Sequence, residues 1–267
     1  MKCLNTIIYY DNPEEVKSYI SEVNAIADNS VDIILIVNSN NKKELNKLIE
    51  ELKYNNITVL DVIDYKENVG YLNALLKTIL KINVDSYDYF ILSNTDIHYD
   101  KNFFYRLSHK KYSKDIGCIA PCVFASRSNS YSNPHYLFRI PRKKLERLAI
   151  LFGFPLLGKI YLKFAEIKAH NKKNKKQASC YVYSPHGCYM IFTKSFIKKI
   201  KGYVYGVKMY SEESAIGELL LRNGYKCYYD SNIKVVHQES TVTGKVNYKN
   251  RFQLWKTSLE YILNEFY

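Results

Sequence analysis

The sequence predicts an α/β protein, a mixed and mostly parallel sheet with helices on both faces. Two observations carry this. Up to residue 92, apolar runs of strand length alternate with segments whose apolar residues recur at helical spacing. The composition, 47% hydrophobic and 15% aromatic over 267 residues, supplies a sizeable core and excludes a disordered chain.

The first strand is the run LNTIIYY at 4–10, and Asp11-Asn12-Pro13 makes a turn whose proline starts a helix reaching about residue 28. A second strand at 32–37 and a polar turn at 38–41 lead into a helix at 42–54, read from Leu45, Leu48, Ile49 and Leu52. A third strand at 57–63, a polar loop to Asn68, a helix through Lys81 and a fourth strand at 88–92 complete the alternation. Beyond Asp96 it weakens into a short helix at 102–110, a strand at 116–124 broken by Pro121, and a Ser/Asn/Tyr-rich loop at 126–135. The segment 181–193 returns to strand, interrupted by Ser184-Pro185-His186-Gly187. Proline and glycine inside a strand mark a bulge or a close backbone approach to a ligand. Ser211 is expected to cap a helix that buries one face through Ala215, Ile216, Leu219 and Leu220 and stops at Arg222-Asn223-Gly224. Two apolar runs at 225–229 and 233–236 follow, the second ending on His237, and then an aromatic-rich helix at 248–266 suited to the core or an oligomer contact.

Sheets of this class bind ligands in the crevice beyond the carboxyl ends of their strands. Those ends are Tyr9-Tyr10-Asp11, Asn38-Ser39-Asn40, Asn68-Val69-Gly70 and Ser93-Asn94-Thr95-Asp96, all of them polar. Asp96 reads either as a ligand for Mg2+ or Mn2+ or as an ordinary turn aspartate. Glu212 and Glu213 fall in a first helical turn, where the macrodipole favours negative charge; they read as a general-base pair or as a helix cap. His237 reads as a metal ligand or a surface residue, and His186 as a site residue or a loop histidine. No P-loop and no G-x-G-x-x-G is present, which disfavours a nucleoside triphosphatase or a dinucleotide enzyme.

Charge is unevenly spread. Positions 139–176 hold twelve Lys or Arg and two Glu, so this segment carries +10 of the net +13. It includes the apolar run LAILFGFPLLG at 148–158, too short to cross a bilayer. Two readings stay open: a segment lying in a membrane interface with its cations on anionic head groups, or a helical hairpin packed on the domain and broken at Pro155. No RNP, helix-turn-helix or zinc pattern accompanies the charge, so nucleic acid is not an expected partner. The six cysteines lack a C-x2-C pair and predict buried free thiols in a reducing compartment. With no signal-peptide h-region and no apolar run of about 18 residues, a cytoplasmic protein is expected.

Together, SPHGCYMIFTKSFIKKIKGY (184–203) and YSEESAIGELLLRNGYKCYYDSNIKVVHQEST (210–241) resemble the inverting family 2 glycosyltransferases of the GT-A fold, of the bacterial cell-surface polysaccharide type. They follow that family's H-G-x-x-x-I-F, acidic helix, G-Y-K and V-x-H-x-x-x-S-T pattern. IIYYDNPEE (7–15) is similar to the family's first strand and turn, NVGYLNAL (68–75) to its N-x-G element, and LSNTDI (92–97) to an N-x-D variant of its D-x-D motif. The resemblance covers nearly the whole chain outside the basic segment.

It implies a single GT-A-like, Rossmann-like domain over 1–267. The nucleotide-sugar half would be about 1–125, a basic insertion about 136–178 and an acceptor and catalytic half about 179–267. It implies inverting transfer of a hexosyl or deoxyhexosyl unit from a nucleotide-diphosphate sugar to a saccharide acceptor; the basic apolar segment 139–176 motivates the further expectation that the acceptor is lipid-linked and met at the inner face of the cell membrane, on anionic lipid. Tyr9, Tyr10, Asn38, Asn68, Gly70, Asn94 and Asp96 would contact the donor, and Asp96 and His237 would hold Mn2+ or Mg2+. Glu213 falls on the catalytic-base position with Glu212 beside it, and His186 and Gly187 would lie near the acceptor. Three positions depart from the pattern: Val37-Asn38 lacks the aspartate of a V-D-N turn, Asn94 replaces the first carboxylate of D-x-D, and Glu213 stands where aspartate is frequent. These departures carry the rival reading, a catalytically degenerate subunit that binds a sugar nucleotide or a glycan.

Overall fold

The structure is a computed structural model that describes residues 1–267 except 39, 40, 56, 58, 171–175 and 240–247; at 42, 166–170, 248 and 249 it describes the backbone alone. Ser39 and Asn40 of the second strand end, the tip of the basic segment at 171–175, and Ser240-Thr241 of the resemblance pattern lie outside the described residues.

The expected alternation forms the parallel half of the sheet. Its elements are β1 (Cys3–Tyr9), α1 (Pro13–Ile26), β2 (Val31–Val37), α2 (Lys42–Tyr54), β3 (Asp61–Asp64), α3 (Tyr71–Lys81) and β4 (Tyr89–Ser93). The strands lie in the order β3-β2-β1-β4, with Tyr9 beside Val37 and Ile7 beside Ser93. The apolar strands β1 and β2 are buried on both faces, as their unbroken runs demand. Pro13 starts α1 as expected. The third strand is shorter than predicted, four residues beginning at Asp61.

The second half interleaves directions. It contains β5 (Ile97–Tyr99), α4 (Phe103–His109), β6 (Ile116–Ala125), β7 (Ser130–Tyr131), α5 (Arg142–Phe152), α6 (Pro155–His170), β8 (Cys180–Val182), β9 (Tyr189–Thr193), α7 (Lys194–Ile200), α8 (Glu212–Arg222), β10 (Lys226–His237) and α9 (Tyr248–Phe266). The full order is β3-β2-β1-β4-β9-β6-β10-β5, with β7 on β6 and β8 on β10. Most paired positions lie in parallel ladders, and β9 runs antiparallel between β4 and β6. Two core clusters cover the two faces. One joins α3, α7, α8 and α9 to the sheet, the other α1, α2 and α4.

Four expectations change. The 181–193 run is two strands rather than one interrupted strand: β8 pairs with β10, whereas β9 pairs with β4 and β6, so Ser184–Gly187 is a connection between sheet positions. The runs at 225–229 and 233–236 are one strand, β10, whose register on β6 shifts between Asp230 and Lys234. That bulge faces Pro121 and Cys122, so β6 runs unbroken through a proline where the partner strand leaves the ladder. Asp230, wholly buried, pins it by accepting from Lys110 Nζ at 2.6 Å, Tyr112 Oη at 2.8 Å and the Asn232 N–H at 3.0 Å. Third, the Ser211 side chain caps nothing: its backbone is left-handed (φ 61°) and its Oγ meets Ser258 Oγ at 2.9 Å. Fourth, α8 is buried on more than one face, from Ser214 to Leu220, because Tyr183 packs on Gly217 and Arg139 covers Glu218.

The basic segment folds as the helical hairpin, α5 and α6, broken at Pro155. Phe152 packs on Phe252 and Trp255 of α9 with ring centroids 5.5 and 5.4 Å apart, and a Cβ on Gly158 would lie 2.5 Å from the Phe252 ring. Its other side stays apolar in water: Phe154, Leu156, Leu157, Ile160 and Phe164 are each at least half exposed. No helix among the described residues is long and apolar enough to cross a membrane. All six cysteines are free, and all but Cys180 are buried.

Candidate active site

Parallel strands send their carboxyl ends to one edge of the sheet, and most of the candidate residues meet there. At the end of β2, Asn38 Nδ2 donates to Tyr10 Oη and to Asn68 Oδ1, each at 3.1 Å, while its Oδ1 accepts from the Val69 N–H at 3.3 Å. Asn68 Oδ1 also accepts from the Gly70 N–H at 2.9 Å. One amide cluster thus ties the exits of β1 and β2 to the start of α3. Gly70 is there for a packing reason: its φ is +83°, and a Cβ would stand 2.3 Å from the Lys208 carbonyl oxygen. Tyr9 is not on the crevice. Strand alternation turns it with Cys3 and Ile7 toward α1 and α2, and it has no solvent exposure, whereas Tyr10 faces the site.

The antiparallel pairing of β5 with β10 sets His237 opposite Ile97, the residue after Asp96. His237 Nε2 lies 3.2 Å from Asp96 Oδ2, both largely buried. Asn94 is held nearby, its N–H donating to the Cys188 carbonyl at 2.9 Å. A carboxylate oxygen and an imidazole nitrogen form a donor set that suits Mn2+. Among the described residues no third His, Cys, Asp or Glu side chain joins them.

The connection before β9 meets α8. The Gly187 N–H donates to Glu213 Oε1 at 3.1 Å, so Gly187 touches the carboxylate itself. A Cβ at Gly187 would fall 2.6 Å from that oxygen. The His186 N–H donates to Asn133 Oδ1 at 2.8 Å, and its ring lies 5.1 Å from His135 and 6.2 Å from His237, centroid to centroid. Glu212 turns the other way, its Oε1 accepting from the Tyr210 N–H at 3.0 Å. Tyr210 and Ser211 are both left-handed, at φ 71° and 61°, a conformation that costs a non-glycine residue about 1–3 kcal/mol. The strained pair aims the first turn of α8 into the crevice. Burial, then the adjacent Glu213, pushes the Glu212 carboxyl up to about 8, and burial also raises Glu213. Both carboxyls are therefore raised above the ordinary carboxylate range, and they titrate together.

Glu212 and Glu213 are among the residues lining a cavity of about 370 Å³ between α8, the hairpin and α9. His135, Tyr136 and Trp255 also line it, none of them singled out in the sequence. Their loops and helix carry no motif; a Ser/Asn/Tyr-rich composition was the only signal around His135.

No known family profile matches the sequence, and no curated protein matches it either. Solved structures do. One is a mannosyltransferase from Pyrobaculum calidifontis in complex with GDP-Man and Mn2+, 9% identical, aligned over 97% of this chain and 68% of that one with a TM-score of 0.56. A second is GalNAc-T7 with UDP, GalNAc and Mn2+, 15% identical, over 94% of this chain and only 47% of that one, TM-score 0.57. A third is a mycobacterial protein, 10% identical, over 99% and 74%, TM-score 0.55. The likeness establishes the fold, the mixed GT-A-like, Rossmann-type sheet that the resemblance implied.

Proposed function

We propose that this chain is a metal-dependent, inverting glycosyltransferase. It moves a hexosyl or deoxyhexosyl unit from a nucleotide-diphosphate sugar to a lipid-linked saccharide in the making of a bacterial surface polysaccharide. The observation that carries the reading is the Glu213 carboxylate, held at 3.1 Å by the Gly187 N–H beside a cavity, at the sheet edge that also gathers Tyr10, Asn38, Asn68, Asp96 and His237. Fold neighbours solved with GDP-Man or with UDP and GalNAc support a nucleotide-sugar donor. In this reading residues about 1–125 hold the donor, about 179–267 carry the base, and about 136–178 are an insertion.

Asp96 and His237 would hold the divalent ion, Mn2+ or Mg2+. Bound there, it supplies positive charge to a diphosphate leaving group. Tyr10, Asn38 and Asn68 orient the nucleotide. Glu213 takes the proton of the acceptor hydroxyl as that oxygen bonds to the anomeric carbon, and the bond from that carbon to the diphosphate breaks, its electron pair leaving with the nucleotide. One base and one displacement give inversion. A carboxyl raised by burial accepts that proton more readily than an ordinary glutamate. Glu212 and His186 contact the acceptor sugar.

A thermal-shift panel of UDP-, GDP-, dTDP- and CDP-sugars, with and without Mn2+, tests this. A donor at a hundredfold excess over Kd adds about 2.7 kcal/mol of apparent stability. A metal-dependent shift with one nucleotide is expected. A shift that ignores metal sinks the Asp96–His237 assignment, and no shift with any donor sinks the transferase.

A further inference from the structure

We propose that Asn133 is a positioning residue for the base: its buried amide holds the His186–Gly187 backbone against the Glu213 carboxylate. What this does for catalysis rests on the transferase reading. The backbone from Ser184 to Gly187 needs such an anchor, because it connects β8 to β9 and belongs to neither strand. Its tie on the β8 side is to Tyr136, whose carbonyl accepts from the Tyr183 N–H at 2.8 Å and which lies opposite Ser184. Pro185 then offers no N–H, so His186 carries the only backbone donor between Ser184 and Gly187. That N–H donates to Asn133 Oδ1 at 2.8 Å.

The other end of the same amide reaches the sheet. Asn133 Nδ2 donates to the Pro121 carbonyl at 3.0 Å, beside the point where β10 shifts register on β6. One side chain thus serves a carbonyl on β6 and an N–H on the connection, a task that needs a donor and an acceptor together and that an amide meets. Asn133 has no solvent exposure, so an apolar side chain in its place would take a partner from the buried Pro121 carbonyl and release the His186 N–H. One residue further on, the Gly187 N–H meets Glu213 Oε1 at 3.1 Å. The two amides belong to successive planar peptides, so a displacement at His186 is carried to Gly187. The anchor therefore runs from a central strand through Asn133 to the carboxylate.

The chain has ten glycines, few enough for isotopic labelling of glycine nitrogen to resolve each amide by NMR in the full-length protein. Gly187→Ala identifies the Gly187 signal, and Glu213→Ala, which removes the acceptor, marks where that signal falls without its hydrogen bond. In Asn133→Ala the Gly187 amide proton should move upfield at least halfway to that mark. Gly70 and Gly158, packed against Lys208 and Phe252, should keep their positions. Should Asn133→Ala fail to fold, Asn133→Ser, whose hydroxyl is too short to reach both partners, carries the same test. A Gly187 signal that stays in place, or a shift shared by Gly70 and Gly158, overturns the positioning role. Transfer from the UDP-, GDP-, dTDP- and CDP-sugars, measured in parallel, separates the two readings. Asn133→Ala should lower kcat at least tenfold and leave the donor KM within twofold, since it misplaces the base and not the donor. An unchanged kcat beside a displaced Gly187 signal removes the role of Asn133 and keeps the transferase. A displaced signal in a protein whose parent transfers from none of these donors removes the transferase, and the positioning role with it.

Discussion

Glu212 and Glu213 are neighbours in the chain and part company in space. Glu213 turns to the Gly187 N–H, whereas Glu212 turns back to the Tyr210 N–H and sits near Tyr10, Tyr71 and Tyr205, whose hydroxyls its charge helps to raise. Replacing Glu213 by Gln keeps the shape and removes the base, so transfer should fall about 10²- to 10⁴-fold while the donor-induced thermal shift persists. Gly187→Ala tests the same group from the other side. The added methyl meets the flexible end of Glu213, not backbone, so the fold should survive with Tm near that of the parent while kcat drops; an unchanged kcat would mean the Gly187 contact does not position the base. Glu212 makes a stability prediction. Its folded value is raised to about 8 against an ordinary value of 4.5, so the folded chain keeps a proton that the unfolded chain releases. Stability is therefore greatest below the unfolded value and declines as pH rises toward the folded one, at up to about 1.4 kcal/mol per pH unit for one proton. Glu212→Gln should flatten that decline, giving a variant that melts later than the parent at pH 9 and no later at pH 4; parallel melting curves across this range would refute it. The acidic pair itself was legible in the sequence. Its divergence was not, because it depends on two left-handed residues, Tyr210 and Ser211, that no propensity favours.

At the scale of elements, α8 is held by a clamp that joins it to the hairpin. Arg139 Nε and Nη2 donate to the two Glu218 oxygens at 2.7 and 2.8 Å, and Tyr183 Oη donates to Glu218 Oε1 at 2.8 Å. Glu218 is almost wholly buried, whereas Arg139 is half exposed, so the carboxylate has more to lose. Arg139→Ala should lower stability by about 1–3 kcal/mol in urea, and by less in a Glu218→Gln background, where no charge is stranded. An equal loss in both backgrounds would mean that the arginine acts by packing alone. Helical spacing predicted α8 and α9, since periodicity is a local signal, and left the hairpin broken at Pro155 as one of two open readings. It did not predict that Glu218 would be buried or that β8 and β9 would join different partners. Those outcomes depend on which other segments arrive.

Across the whole molecule, the hairpin sets an apolar outer face among many cations on one side of a sheet whose crevice holds the candidate site. Binding to anionic vesicles should be measurable at low salt and weaken as ionic strength rises, the Debye length shrinking from about 30 Å at 0.01 M to about 10 Å at 0.1 M. Sedimentation with anionic and neutral vesicles checks this, and protein left in the supernatant with both would remove the membrane contact. By itself the sequence determined the parallel half of the sheet, the polar strand ends, the acidic first turn of α8 and the concentration of charge in one segment. Each follows from residues within a turn or a strand of one another. Only the tertiary structure decided that Tyr9 faces the core, that Gly187 holds Glu213, and that a cavity opens between α5, α8 and α9. Strand register and helix docking bring together side chains far apart in the chain, and the free energy that selects them is summed over the whole core rather than written in any one stretch.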